Sequence, residues 1–218
     1  MRMLVIASVP PSTKISPENP RVQALLKIAG LQTPTFDLDR EAEYVEALRP
    51  YFVRKARDMF SGHFKHVLRF VNALRALGHE VDLKILSPRY GLLDEDSPVI
   101  PHIASLRNMS MSSIRKLADS LKTFESFIRA VRSKNYDIVV LVLNREDIFL
   151  IHDPKAGRDL SIASSYWGKL IVISASSVKK LLERIPKSTF YSAKNVGERL
   201  ERLEGYMSSL AQLKLPVA

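Results

Sequence analysis

The chain contains no cysteine, which removes disulfides, thiolate metal sites, iron–sulfur clusters and cysteine nucleophiles at once. It also lacks any apolar run near the roughly 20 residues that a membrane-spanning helix requires. The opening Met1-Arg-Met-Leu-Val-Ile-Ala7 leads straight into a strand pattern, without the charged, apolar and small-residue layout of a signal peptide. A cytoplasmic protein with no membrane contact is the expectation. There is no Walker loop, no Gly-Xaa-Gly-Xaa-Xaa-Gly, no Gly-Xaa-Ser-Xaa-Gly elbow and no His-Glu-Xaa-Xaa-His, so no cofactor and no metal is assigned. Internal repeats and low-complexity linkers are absent as well.

What remains is a chain of 218 residues, 46% hydrophobic and 26% charged, a size and balance that suit one folded domain over residues 1–218. Lys and Arg number 33 against 23 Asp and Glu, a formal net charge of +10. Such an excess favours a nucleotide, a nucleic acid or another phosphorylated partner, although a basic surface without a ligand is the plain alternative.

Apolar patterning alternates between strand and helix. Strands are predicted over residues 2–9, 80–86, 136–143 and 170–173, the third being an unbroken β-branched run of the kind buried on both faces of a parallel sheet. Two helices are predicted between residues 41 and 77, broken near Ser61-Gly62, and one long amphipathic helix from Ile114 to Val131. Residues 15–40 are interrupted by Pro17, Pro20, Gly30 and Pro34 around a short apolar helix pattern from Val22 to Ile28 and read as an irregular flap or an edge, and residues 191–218 as a C-terminal helix. The expected fold class is α/β, a single domain with a mostly parallel sheet of about four to five strands flanked by helices.

In such a sheet, ligands bind outside the carboxyl ends of the strands where strand order reverses. Four loops qualify: residues 10–14 with Lys14, residues 87–96, Asn144-Arg-Glu-Asp147, and Ser174-Ala-Ser-Ser177. In the second, Ser87 can cap or hold phosphate, Arg89 can fork onto phosphate or carboxylate, Tyr90 can stack or use its hydroxyl, and Gly91 can let backbone approach a ligand. The same residues would equally make a tight turn with Tyr90 over the core. Asp94, Glu95 and Asp96 offer a carboxylate for acid–base work or a cation, or form a solvated loop. Asn144 and Arg145 would add ligand contacts and Asp147 a second candidate carboxylate, unless these residues only open a helix. Ser176 marks a helix start suited to an anion or to ordinary capping.

Other patterns are weaker. His63 and His66 stand one helical turn apart without a third ligand nearby in sequence, and His152 adjoins Asp153. Arg54, Lys55, Arg57, Lys65, Arg69 and Arg75 interleave with Tyr51, Phe52, Phe60 and Phe64, a mix that suits a nucleic-acid backbone with stacked bases or a solvated helix face over core aromatics.

Leu86-Ser-Pro-Arg-Tyr-Gly-Leu-Leu93, followed by Val99-Ile-Pro101 and Leu106-Arg-Asn-Met-Ser110, resembles a domain family of unknown function whose signature reads Ser-Ala-Lys-Tyr-Gly-Leu-Leu. Ala56-Arg-Asp-Met-Phe-Ser-Gly-His-Phe64 is similar to an upstream stretch of that family, so the likeness spans about residues 1–150. A shorter segment is similar to the YaaA peroxide-stress proteins, which are associated with DNA binding. The chain departs from the signature at Pro88, at Arg89 in place of Lys, and at His102 where Tyr follows the proline. The resemblance implies a site near Ser87, Arg89, Tyr90 and Gly91 and implies no particular reaction.

Two functions follow as expectations. One is a crevice for a nucleobase or nucleotide, free or within nucleic acid, served by Arg89, Arg145 and Lys14 with Tyr90 and a carboxylate from Asp94 or Asp147, in a base-processing reaction such as glycosidic cleavage or base exchange. The alternative is a non-catalytic nucleic-acid-binding accessory protein using the basic helical face.

Overall fold

The computed structural model describes residues 1–10, 13–62, 64–192, 197–198 and 200–205. Its sheet has six strands in the order β4-β3-β1-β6-β7-β8: β1 Arg2–Ser8, β3 Glu80–Ser87, β4 Gly91–Asp94, β6 Tyr136–Val142, β7 Trp167–Ser174 and β8 Ser188–Ser192. All neighbours pair in parallel except β3 and β4. A two-stranded antiparallel ribbon joins β2 Arg54–Lys55 to β5 Pro98–Val99.

The central strands β1, β6 and β7 carry nearly continuous apolar runs because the sheet is covered on both faces. Met3, Val5 and Ala7 enter one core with Val140, Val142, Ile171 and Ile173, and Leu4 and Ile6 enter the other with Val139, Leu141, Leu170 and Val172. Successive side chains of a strand point to opposite faces, so one apolar run feeds both layers. Helices α3 Ala56–Met59 and α4 Phe64–Ala76 cover the first face through Met59, Phe64, Val67, Phe70 and Leu74. The second face carries α5 Met111–Leu121, α6 Thr123–Arg132, α7 Ile148–Ile151 and α8 Lys179–Leu182, anchored by Ile114, Phe127, Val131, Ile148 and Leu182.

Several expectations change. The sheet gains β4 and β8, both of which lacked a long apolar run. The predicted long helix is two helices, because Lys122 adopts a left-handed φ of 49°. The joint is fixed by Thr123, whose hydroxyl donates to the Leu150 carbonyl. Residues 15–40 hold the short helix expected within them. They contain α1 Pro20–Ile28, which packs with α2 Glu41–Leu48 around Val22, Leu26, Leu31, Tyr44, Leu48 and Ile100. At the other end, Tyr191 and Ser192 belong to β8, residues 197–198 and 200–205 are helical, and the rest of the predicted terminal helix lies outside the described residues.

The chain steps from β1 to β3 on one side and then crosses to β6 on the other side of β1. Connections leaving β1 and β6 therefore diverge, and a crevice opens between their carboxyl ends.

Candidate functional site

β1 ends on Ser8, which is buried at 2% exposure. β6 runs into Leu143 and Asn144, whose backbone N–H donates to Ser8 Oγ at 3.1 Å. One turn on, Asp147 is 4% exposed, and Asn144 Nδ2 donates to its Oδ2 at 3.0 Å. Burial pushes the Asp147 carboxyl up to about 6, against the downward pull of hydrogen bonds from Ser8 and Asn144. Among the described residues no guanidinium or ammonium neutralises it, and Glu146 nearby adds a further upward push.

This carboxyl lines a crevice of about 380 Å³ together with Val9, Pro10, Pro88, Ala104, Leu106 and Ala175, with Arg107 and Arg145 among its charged lining residues. The volume falls within the range of about 300–1,000 Å³ usual for small-molecule sites. Arg107 and Arg145 are exposed, and among the described residues neither side chain has a carboxylate partner. The site thus combines a small apolar surface, a buried acid near neutrality and two available guanidinium groups. That combination can hold an anionic organic molecule and exchange a proton with it.

Of the anticipated loops, three meet here: residues 9–10, Pro88 and residues 144–147, with Ala175 contributing from the fourth. The side chains expected to lead the chemistry of the second loop do not face the crevice. Arg89 is completely buried. Its guanidinium reaches Asp37 Oδ1 at 2.9 Å and Glu41 Oε2 at 2.6 Å, donates to the Thr35 carbonyl, and lies over the rings of Tyr44 and Tyr90. A fork occupied by two internal carboxylates has no place for a ligand phosphate. Tyr90 donates to Glu41 Oε1 at 2.8 Å and accepts from the Ile100 N–H at 3.3 Å. Burial, followed by the Glu41 charge, raises its pKa, so the hydroxyl stays protonated as a donor to Glu41.

Ser87 is also structural: its Oγ accepts from the N–H groups of Arg89 and Tyr90 at 3.3 and 3.4 Å, closing the turn after β3. Gly91 has φ of +72°, and a side chain there would meet Thr123 Cγ2 at 3.2 Å and Leu121 O at 3.3 Å. The close approach is to the joint between α5 and α6, not to a ligand. His102 stacks edge-on against Tyr90 and Phe60, and burial lowers its pKa to about 4.

Asp94 lies opposite Lys84 on the edge strand β4 and pairs with it in the open, away from the crevice. Glu95 and Asp96 receive Arg57, Arg75 and Lys55. The acidic run lies outside the crevice lining and neutralises three cations of the basic helical face. Phe60 and Phe64 of that face are core residues. Lys14 is exposed outside the crevice lining, with its backbone N–H bonded to the Met59 carbonyl. Ser176 is exposed and caps nothing; Ala175 precedes the short turn, while Ser174 Oγ bonds to the Leu143 carbonyl. His63 lies outside the described residues, and among the described residues no three His, Asp or Glu side chains converge as metal ligands. Asp153 is held by Arg115 at 2.7 Å, while His152 Nδ1 accepts from the Leu160 N–H.

Arg107 and Ser8 were not anticipated as site residues. Arg107 belongs to a segment that reads as the approach to a helix, and Ser8 to an apolar strand. Their adjacency to residues 144–147 follows only from strand order.

No protein-family model, curated protein or solved structure matches the chain. No helix among the described residues is long and apolar enough to cross a membrane.

Proposed function

We propose that the crevice between β1 and β6 binds a nucleotide or nucleobase, and that Asp147 is its acid–base group. The observation that carries this reading is Asp147 itself, a nearly fully buried carboxyl without a cationic partner, at the sheet position where open α/β folds receive ligands. A carboxyl titrating near 6 is partly protonated close to neutral pH, so it can both give and take a proton. Arg107 and Arg145 hold the phosphate, and the apolar surface of Val9, Pro88 and Leu106 receives the base.

The reaction that fits is base processing, in which Asp147 protonates a ring nitrogen of the departing base during glycosidic cleavage or base exchange. Water or an incoming base then takes the sugar carbon. The likeness to the Ser-Ala-Lys-Tyr-Gly-Leu-Leu family is in this proposal a likeness of scaffold, since Ser87, Arg89, Tyr90 and Gly91 hold the crevice wall in place.

Calorimetric titration with the nucleoside monophosphates tests the reading. Arg107→Ala and Arg145→Ala should each weaken binding by about tenfold or more, consistent with about 1.5–3 kcal/mol for a hydrogen bond to a charged group. Asp147→Asn should remove any pH dependence of binding centred near 6. Undiminished binding in all three variants, or no binding by the intact protein, overturns it.

A further inference from the structure

A second cavity of about 610 Å³ adjoins the crevice, and Arg145 lines both. Its surface combines Phe149, Leu181 and Ile185 with the cations Lys155 and Arg184, beside the carboxylates of Asp153 and Asp159. Among the described residues, Lys155 and Arg184 have no ion pair, whereas Arg115 in the same cavity is held by Asp153. Phe149 is half-buried on the one-turn helix α7, which directly follows Asp147 of the crevice lining. Each cavity offers apolar surface to a planar group, and the arginine shared between them is exposed.

From this juxtaposition we infer that the ligand is two nucleotide units joined by a phosphodiester, as found in a single nucleic-acid strand: one unit in the crevice, the linking phosphate on Arg145, and the next base against Phe149. Lys155 and Arg184 meet the phosphate that follows. The inference rests on the crevice being a nucleotide site, and adds that a single nucleotide fills only half of the surface built for it. The chemistry is that of strand recognition, with an aromatic face for stacking and cations spaced along the backbone. An isolated anion would need only one of the two cavities.

The test compares 5′-phosphorylated mononucleotides, the corresponding dinucleotides and a ten-nucleotide single strand, in ribose and deoxyribose forms, on the full chain. The dinucleotide should bind at least tenfold more tightly than the mononucleotide, a gain of the size that one base stacked on an aromatic ring provides. Phe149→Ala and the double variant Lys155→Ala/Arg184→Ala should each reduce that gain while leaving mononucleotide affinity as it was. The ten-nucleotide strand should match or exceed the dinucleotide, and its affinity should fall with added salt less steeply in the double variant. Equal affinity for mononucleotide and dinucleotide overturns the inference and spares the crevice reading, as does a gain that survives both variants. Failure of every probe to bind overturns both.

Discussion

Arg89 and Arg145 occupy similar places, two and three residues beyond the ends of buried parallel strands, yet their surroundings are opposite. Arg89 is fully buried, bridges Asp37 and Glu41, and is sandwiched by two tyrosines. Arg145 is exposed, lines two cavities, and has no carboxylate partner among the described residues. The same side chain in a similar topological place is scaffold in one case and available charge in the other. The difference arises because residues 35–48 fold over the first turn and supply counter-charges, while nothing comparable covers the second. An arginine after a strand thus announces a site only when the rest of the chain leaves its fork free.

The contrast can be broken most forcefully at Arg89. Arg89→Met should destabilise the fold by about 3–5 kcal/mol, the range for breaking a buried ion pair and leaving the partner charges stranded. The partial exposure of Asp37 and Glu41 places the expectation near the lower end. Urea unfolding measures it, and a change under about 1 kcal/mol would mean that Arg89 is not the pin. Against the upward push of burial, hydrogen bonds from the Tyr44 hydroxyl, the Thr35 N–H and Arg89 keep Asp37 at about 2, so that segment stays paired throughout the neutral range.

Asp147 should show the next largest effect, through pH. Its carboxyl rises from 3.8 to about 6 on folding, so the folded state binds its proton more tightly than the unfolded state does. The favourable contribution is complete below about 3.8 and is lost as pH rises through about 6. At 1.36 kcal/mol per pKa unit, the stability difference between Asp147→Asn and the parent should swing by about 3 kcal/mol in the variant's favour between pH 3.5 and pH 7. Unfolding curves at those two pH values measure the swing, and a constant difference would show that Asp147 does not titrate abnormally.

The smallest effect on stability belongs to Arg145. Arg145→Ala should shift unfolding by less than about 0.5 kcal/mol, as surface replacements do, while weakening nucleotide binding. A loss of stability comparable to that of Arg89→Met would erase the distinction between the two arginines.

Much of this architecture is visible in the residues alone. The apolar runs at 138–142 and 3–7 declare doubly covered parallel strands, because a sheet buried on both faces takes apolar residues at consecutive positions. β4 is hidden because Gly91-Leu-Leu-Asp94 is four residues long and follows a proline turn, so it reads as loop until Leu86 and Ser87 pair with it. The break at Lys122 is hidden for a similar reason: the apolar spacing of α5 and α6 continues across it, and the packing of Gly91 and Thr123 there is a contact between distant segments.

The sequence by itself determined the α/β class, the main strands and the absence of thiol chemistry, since each depends on local pattern and composition. Only the tertiary structure decided which polar groups were spent internally. Residues 35–41 take Arg89 and Tyr90, residues 94–96 take Lys55, Arg57, Arg75 and Lys84, and Ser8 and Asn144 hold a buried Asp147. Availability is a property of the surroundings: a charge within reach of an opposite charge is satisfied, and one left at a crevice is not. Those surroundings are assembled from parts of the chain up to 136 residues apart, as in the bond from Asn144 to Ser8, and no local pattern records them.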